Sequence, residues 1–165
     1  LYMVPFLEDI GTEPELAALG AVVAAVFGFV GTISSGALAD RFPPKVVLFS
    51  WVGLFAASFA ALSQWPSFGM GLIASAGMGL GTGGVAPIHP LFIGSRFGPE
   101  VLAGVMGIQG LIGLPLMASA PILAGAVRDA TGHYEPAFLG AAAILVVAAL
   151  FLAAFRPRPP AGGRG

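Results

Sequence analysis

The chain has 165 residues, 57% of them hydrophobic and 9% charged, with a formal net charge of -1 and no cysteine. Soluble folds carry about a quarter charged residues, so this composition excludes a wettable globular surface and makes lipid the solvent. Scattered basic residues without a face or stripe exclude a nucleic-acid partner, the lack of Cys excludes a disulfide framework or thiolate metal site, and no motif calls for a cofactor.

Each helical crossing needs about 20 apolar residues, so the length allows roughly five or six. The opening LYMVPFL is too short to span and reads as the end of a helix that starts upstream. EDIGTEPE follows, with Glu8, Asp9, Glu13 and Glu15 and no basic partner, which suits an exterior loop. Residues 16–39 carry no charge and form the first full span. Within it Gly20, Ala24 and Gly28 recur every fourth residue, and Gly31 and Ser35 continue a stripe that lets another helix approach closely.

A charged interruption, GALADRFPPKVVL at residues 36–48, ends this run with Asp40, Arg41 and Lys45. Pro43 and Pro44 suit the first turn of the next helix, where a missing N–H costs little. The uncharged run 46–95 is too long for one helix and breaks at Gln64-Trp65-Pro66-Ser67, giving spans 46–63 and 68–95. RFGPE forms the next polar turn, span 101–127 follows, then RDATGHYE, then the apolar span 136–155. The expected fold is therefore all-α and integral to the membrane: a stub and five transmembrane helices over residues 1–155, with a disordered basic tail at 156–165.

If loops alternate sides, Arg41, Lys45, Arg96, Arg156, Arg158 and Arg164 share one side, and Arg128 stands on the other. The positive-inside rule makes the first side cytoplasmic, with the C-terminus on it. The setting is then a multi-pass protein of the cell membrane.

Intramembrane polar groups tend to face the bundle or a cavity. Ser75, Thr82 and His89 stand at seven-residue steps and so near one helical face. Pro87 and Pro90 remove hydrogen bonds to the carbonyls of Gly83 and Ala86, and freed carbonyls beside a histidine make a candidate polar site. Gln109 lies at similar depth on the next span. His89 is either a hydrogen-bonded packing residue or a proton or substrate site, and Gln109 either binds a neighbouring helix or lines the pathway. Thr32, Ser34 and Ser35 are expected to bond to their own helix backbone.

Gly79, Gly81 and Gly84 satisfy G-x-G-x-x-G but sit inside an apolar run without a strand, so they read as helix contacts and not as a nucleotide site. An intramembrane hydrolase using Ser34 or Ser35 with His89 lacks any nucleophile motif, and no enzymatic activity is expected.

Residues 36–48 resemble the signature loop of the major facilitator superfamily of secondary transporters, which runs Gly-x-Leu-Ala-Asp-Arg-x-Gly-Arg-Lys/Arg-x-x-Leu. Gly36, Leu38, Ala39, Asp40, Arg41, Lys45 and Leu48 match, and Pro43 and Pro44 replace the Gly and Arg. The family repeats this loop in weaker form between its eighth and ninth helices. RFGPEVLAGVMGIQG and APILAGAVRDATGHYEPAF are similar to the tenth-to-twelfth helices of monocarboxylate-transporter-like members, with Ala120, Pro121, Ala124 and Gly125 where a Gly-Pro-x-x-Gly-Gly pattern falls. The Asp and Arg that such transporters carry in the eighth helix are absent from residues 16–39.

The resemblance implies the C-terminal half of a transporter, about helices 8–12 and the end of helix 7. Such a half works with a missing N-terminal half to move a small solute by alternating access, an organic anion or monocarboxylate among the candidates. It further implies a cytoplasmic gate at Gly36, Asp40, Arg41 and Lys45, beside a cytoplasmic loop at Arg96. The alternative is a non-transporting membrane fragment that pairs with another chain.

Overall fold

A computed structural model describes residues 3–154; the tail at 156–165 and the side chains of Arg96 and Leu152 lie outside the described residues. The described chain is six helices: α1 (Met3–Asp9), α2 (Pro14–Ala39), α3 (Pro44–Gln64), α4 (Phe68–Phe97), α5 (Pro99–Thr131) and α6 (Glu135–Ala154). Four of them, α2 to α5, are long and apolar enough to cross a membrane. The 20 residues of α6 rise about 30 Å, one hydrocarbon thickness.

Local chemistry sets the helix ends. Pro14, Pro44 and Pro99 stand in the first turns of α2, α3 and α5, where no intrahelical donor is lost. At the start of α4 the Ser67 hydroxyl accepts the Met70 N–H at 3.3 Å. Gly132 ends α5 at φ 83°, a left-handed conformation, and its N–H donates to the Arg128 carbonyl at 2.7 Å.

Helix α4 is central because small residues give it two approachable faces. On one, a Cβ added to Gly79 or Gly83 would overlap the carbonyl oxygens of Ala24 and Gly28 on α2. On the other, a Cβ on Gly81 would meet Phe55, and one on Gly84 would overlap the Trp51 indole, both of α3. Opposite its own small-residue stripe, α2 turns Val22, Val26, Phe29 and Ile33 outward. Their exposure is natural in lipid, where an apolar side chain gains nothing by burial against another helix.

Two apolar clusters hold the ends of the bundle. One unites Met3, Phe6 and Leu7 of α1 with Ala17, Leu62, Ala74 and Phe138; Phe6 and Phe138 meet edge to face with centroids 5.1 Å apart. The other joins Val47, Leu48 and Trp51 of α3 to Ile88 of α4. In contrast, α5 packs on α4 and α6 but buries none of its 33 residues.

Trp51 is 8% exposed, and its indole N–H finds no hydrogen-bond partner among the described residues. A buried orphan donor costs about 1–3 kcal/mol. Trp51→Phe keeps a ring over Gly84 and removes that donor, so it is expected to change stability by less than about 1.5 kcal/mol, whereas Trp51→Ala costs about 3–5 kcal/mol. Thermal unfolding in detergent distinguishes them; equal losses would mean that the N–H is satisfied.

Candidate functional site

The polar residues of α4 share a face but not an environment. Ser75 is 1% exposed, and its hydroxyl donates to the Gly71 carbonyl at 2.8 Å. It lies where α1 covers α4: a Cβ on Gly20 would stand 2.8 Å from Met3 Cγ, 3.1 Å from Leu7 Cδ1 and 3.2 Å from Ser75 Oγ. Thr82 is exposed and His89 half-buried. Gln109, on α5, is exposed as well. Among the described residues no side-chain hydrogen bond is made by Thr82, His89 or Gln109. Thus Ser75 is satisfied packing, while the other three present free polar groups.

The carbonyl that Pro87 releases is not free. Thr32 of α2 donates its hydroxyl to the Gly83 carbonyl at 3.1 Å and to its own Gly28 carbonyl at 3.0 Å. Ser35, 1% exposed, donates to the Gly84 carbonyl at 2.7 Å. Ser34 bonds back to Val30 at 2.7 Å within its helix. Neighbouring hydroxyls are a usual way to satisfy backbone groups freed by proline in a membrane helix. Ser35 therefore departs from the expectation of bonding to its own helix, and Thr32 does both. Nothing in the sequence alone pairs these hydroxyls with α4; the signal lies in separate features, the stripe Gly28–Gly31–Ser35 on α2 and Pro87 on α4.

At the signature loop, Gly36 lies in the last turn of α2 and Asp40 caps it, exposed, with its N–H donating to the Gly36 carbonyl at 3.3 Å. Among the described residues Asp40 forms no ion pair with Arg41 or Lys45. Lys45 turns instead to α6: its Nζ donates to the Ala153 carbonyl at 3.3 Å and stands 5.8 Å from the Phe49 ring centroid. A lysine at a helix C-terminus meets carbonyls left without intrahelical donors and the negative end of the dipole. Arg96 belongs to the last turns of α4, before the turn at Gly98.

At the opposite end, Arg128 of α5 forms an ion pair with Asp9 of α1; its Nε donates to Asp9 Oδ1 at 3.1 Å, and its Nη2 shares the same oxygen. The guanidinium also lies 5.6 Å from the Tyr134 ring centroid. The hydrogen bond to Asp9, then its charge, raises the Arg128 pKa further above its ordinary value. An exposed pair of this kind is screened by salt and holds α1 less firmly than the buried Phe6 and Leu7 do.

Between α3 and α6 runs a partly open cleft of about 190 Å³. Every lining residue is apolar, so the cleft offers a hydrophilic solute no partner. It is separate from the polar residues of α4 and α5.

Long apolar helices with close glycine contacts and polar groups held within them define a multi-pass membrane protein. The family model of the Major Facilitator Superfamily matches residues 1–165, and the chain belongs to that family. It is 28% identical over 155 residues to monocarboxylate transporter 13 of Rattus norvegicus and 31% identical over 158 residues to that of Bos taurus, in each case covering 88% of this chain and 35% of the relative. It is also 28% identical over 164 residues to the transcription regulatory protein OpdE of Pseudomonas aeruginosa, covering 98% of this chain and 40% of that one. The chain thus spans little more than a third of the curated relatives' length.

Proposed function

We propose that this chain is the second helical half of a secondary active transporter that moves a small solute, with monocarboxylates the first class to test. The observation that carries the reading is the family match over the whole chain, joined to relatives named as monocarboxylate transporters. The free polar groups of Thr82, His89 and Gln109 support it, because unpaired polar groups in a bundle suit a water-filled pathway. So does α5, whose unburied surface leaves room for a second helical body. In transporters of this family substrate binds between two such bodies, which makes this chain inactive without its N-terminal half.

The orientation proposed from charge places the loop at residues 40–45 and the C-terminus in the cytoplasm. Asp40, Arg41 and Lys45 then act as a gate that breaks and re-forms as the halves rock. In this structure Lys45 is attached to the α6 terminus, through the Ala153 carbonyl, and not to Asp40.

The test is uptake of a radiolabelled monocarboxylate by proteoliposomes holding a full-length transporter that contains these residues. Saturable uptake is expected, with the apparent affinity weakened at least tenfold by Gln109→Ala and the pH dependence altered by His89→Ala. No saturable uptake would overturn the transport reading. Unchanged affinity and pH profile in both variants would remove the two residues from the pathway. Flux through these residues alone would overturn the half-transporter reading.

A further inference from the structure

The apolar cleft between α3 and α6 has a cation at its mouth. Phe49, Gly53 and Ala56 of α3 face Val146, Ala149 and Ala153 of α6 across it. Lys45 Nζ is 3.3 Å from the carbonyl of Ala153 and 5.8 Å from the ring centroid of Phe49, so the ammonium is bracketed by two lining residues. We propose that the cleft holds an acyl chain of an anionic phospholipid whose phosphate rests on Lys45.

Depth argues for a lipid chain. From Lys45 to Ala56 the axis of α3 rises about 17 Å, close to the thickness of one leaflet's hydrocarbon. The cleft therefore runs from headgroup level toward the bilayer centre, along the path of an acyl chain.

Charge argues for an anionic headgroup. An ammonium has three donors; the Ala153 carbonyl takes one, and among the described residues no carboxylate lies within ion-pair distance of Lys45. Lys45 also stands in the first turn of α3, where the helix dipole favours negative charge. A zwitterionic lipid brings its own cation to compete with Lys45, whereas an anionic lipid does not. Nothing in this site depends on solute crossing the membrane.

The chain is reconstituted in vesicles of equal parts phosphatidylglycerol and phosphatidylcholine, extracted gently, and its retained lipid weighed by native mass spectrometry. Phosphatidylglycerol is expected to be retained about fivefold over phosphatidylcholine, the worth of one basic side chain at an anionic surface. Lys45→Gln should bring the ratio near one while lipid is still bound, and Lys45→Arg should restore it. Ala149→Phe, which fills the cleft, should lower retention of both lipids, with circular dichroism confirming an intact fold; Gly53→Leu serves if that variant misfolds. Excess inorganic phosphate should leave the retained lipid in place. Equal retention of the two lipids by the unaltered chain, a preference that survives Lys45→Gln, or full retention in both cleft-filling variants would each overturn the proposal, as would a dimer formed through the cleft in place of bound lipid.

Discussion

Gly83→Val is expected to prevent assembly of the bundle. A Cβ at Gly83 would overlap the Gly28 carbonyl oxygen, a backbone atom that cannot swing aside as a side chain end can. Ordinary overpacking costs about 1–3 kcal/mol because side chains yield. Here α2 and α4 must separate, which also breaks the Thr32 and Ser35 hydrogen bonds to α4. The cost is therefore above about 3 kcal/mol, where overpacking values end, and the measurement is the yield and melting temperature of purified chain. Gly140→Ala is the control, since nothing stands within 4 Å of a Cβ there. It should be neutral or stabilising by up to about 1 kcal/mol through helix propensity. A Gly83→Val chain that melts with the parent would refute the close α2–α4 approach.

Leu7→Ala is expected to release α1. That helix has only seven residues, and Leu7 is fully buried against the α2 and α4 glycines Gly20 and Gly71. Truncating a buried leucine costs about 2–5 kcal/mol, and for so short a helix the loss falls mostly on its docking. Because the sequence has no cysteine, a Ser75→Cys probe reports on this alone. In the parent, Cys at this position should resist a water-soluble maleimide; in the Leu7→Ala background it should react. Equal protection in both would show that α1 is not what covers Ser75.

Much of the fold was legible because the membrane imposes simple rules. Charges mark the ends of the apolar runs, so Asp40 to Pro43, Pro66 and Gly98 sit at the turns between helices, whereas Pro87, Pro90, Pro115 and Pro121 stand inside α4 and α5 and break neither. The glycine spacing announced close packing. It did not say which helix each glycine faces, because Gly79 and Gly81 are about 200° apart on α4 and turn to different neighbours, α2 and α3.

The candidate site was less legible. Ser75, Thr82 and His89 share a face by spacing, yet α1 covers only its first part, so one residue is sealed and the others are open. Carbonyls freed by proline were readable, but the hydroxyl that takes one belongs to a residue 51 positions away. Adjacency in the sequence pairs Lys45 with Asp40, whereas its contact with Ala153 spans 108 positions. Long-range partners follow from how helices dock, which no local pattern encodes.

The seam between α2 and α4 has a mechanical consequence. Backbones in direct contact at Gly28, Gly31, Gly79 and Gly83, cross-linked by the Thr32 and Ser35 hydroxyls, leave no compliant layer of side chains to shear. The two helices therefore behave as one stiff beam. Any bending of this body is pushed outward to α5, the helix that buries nothing.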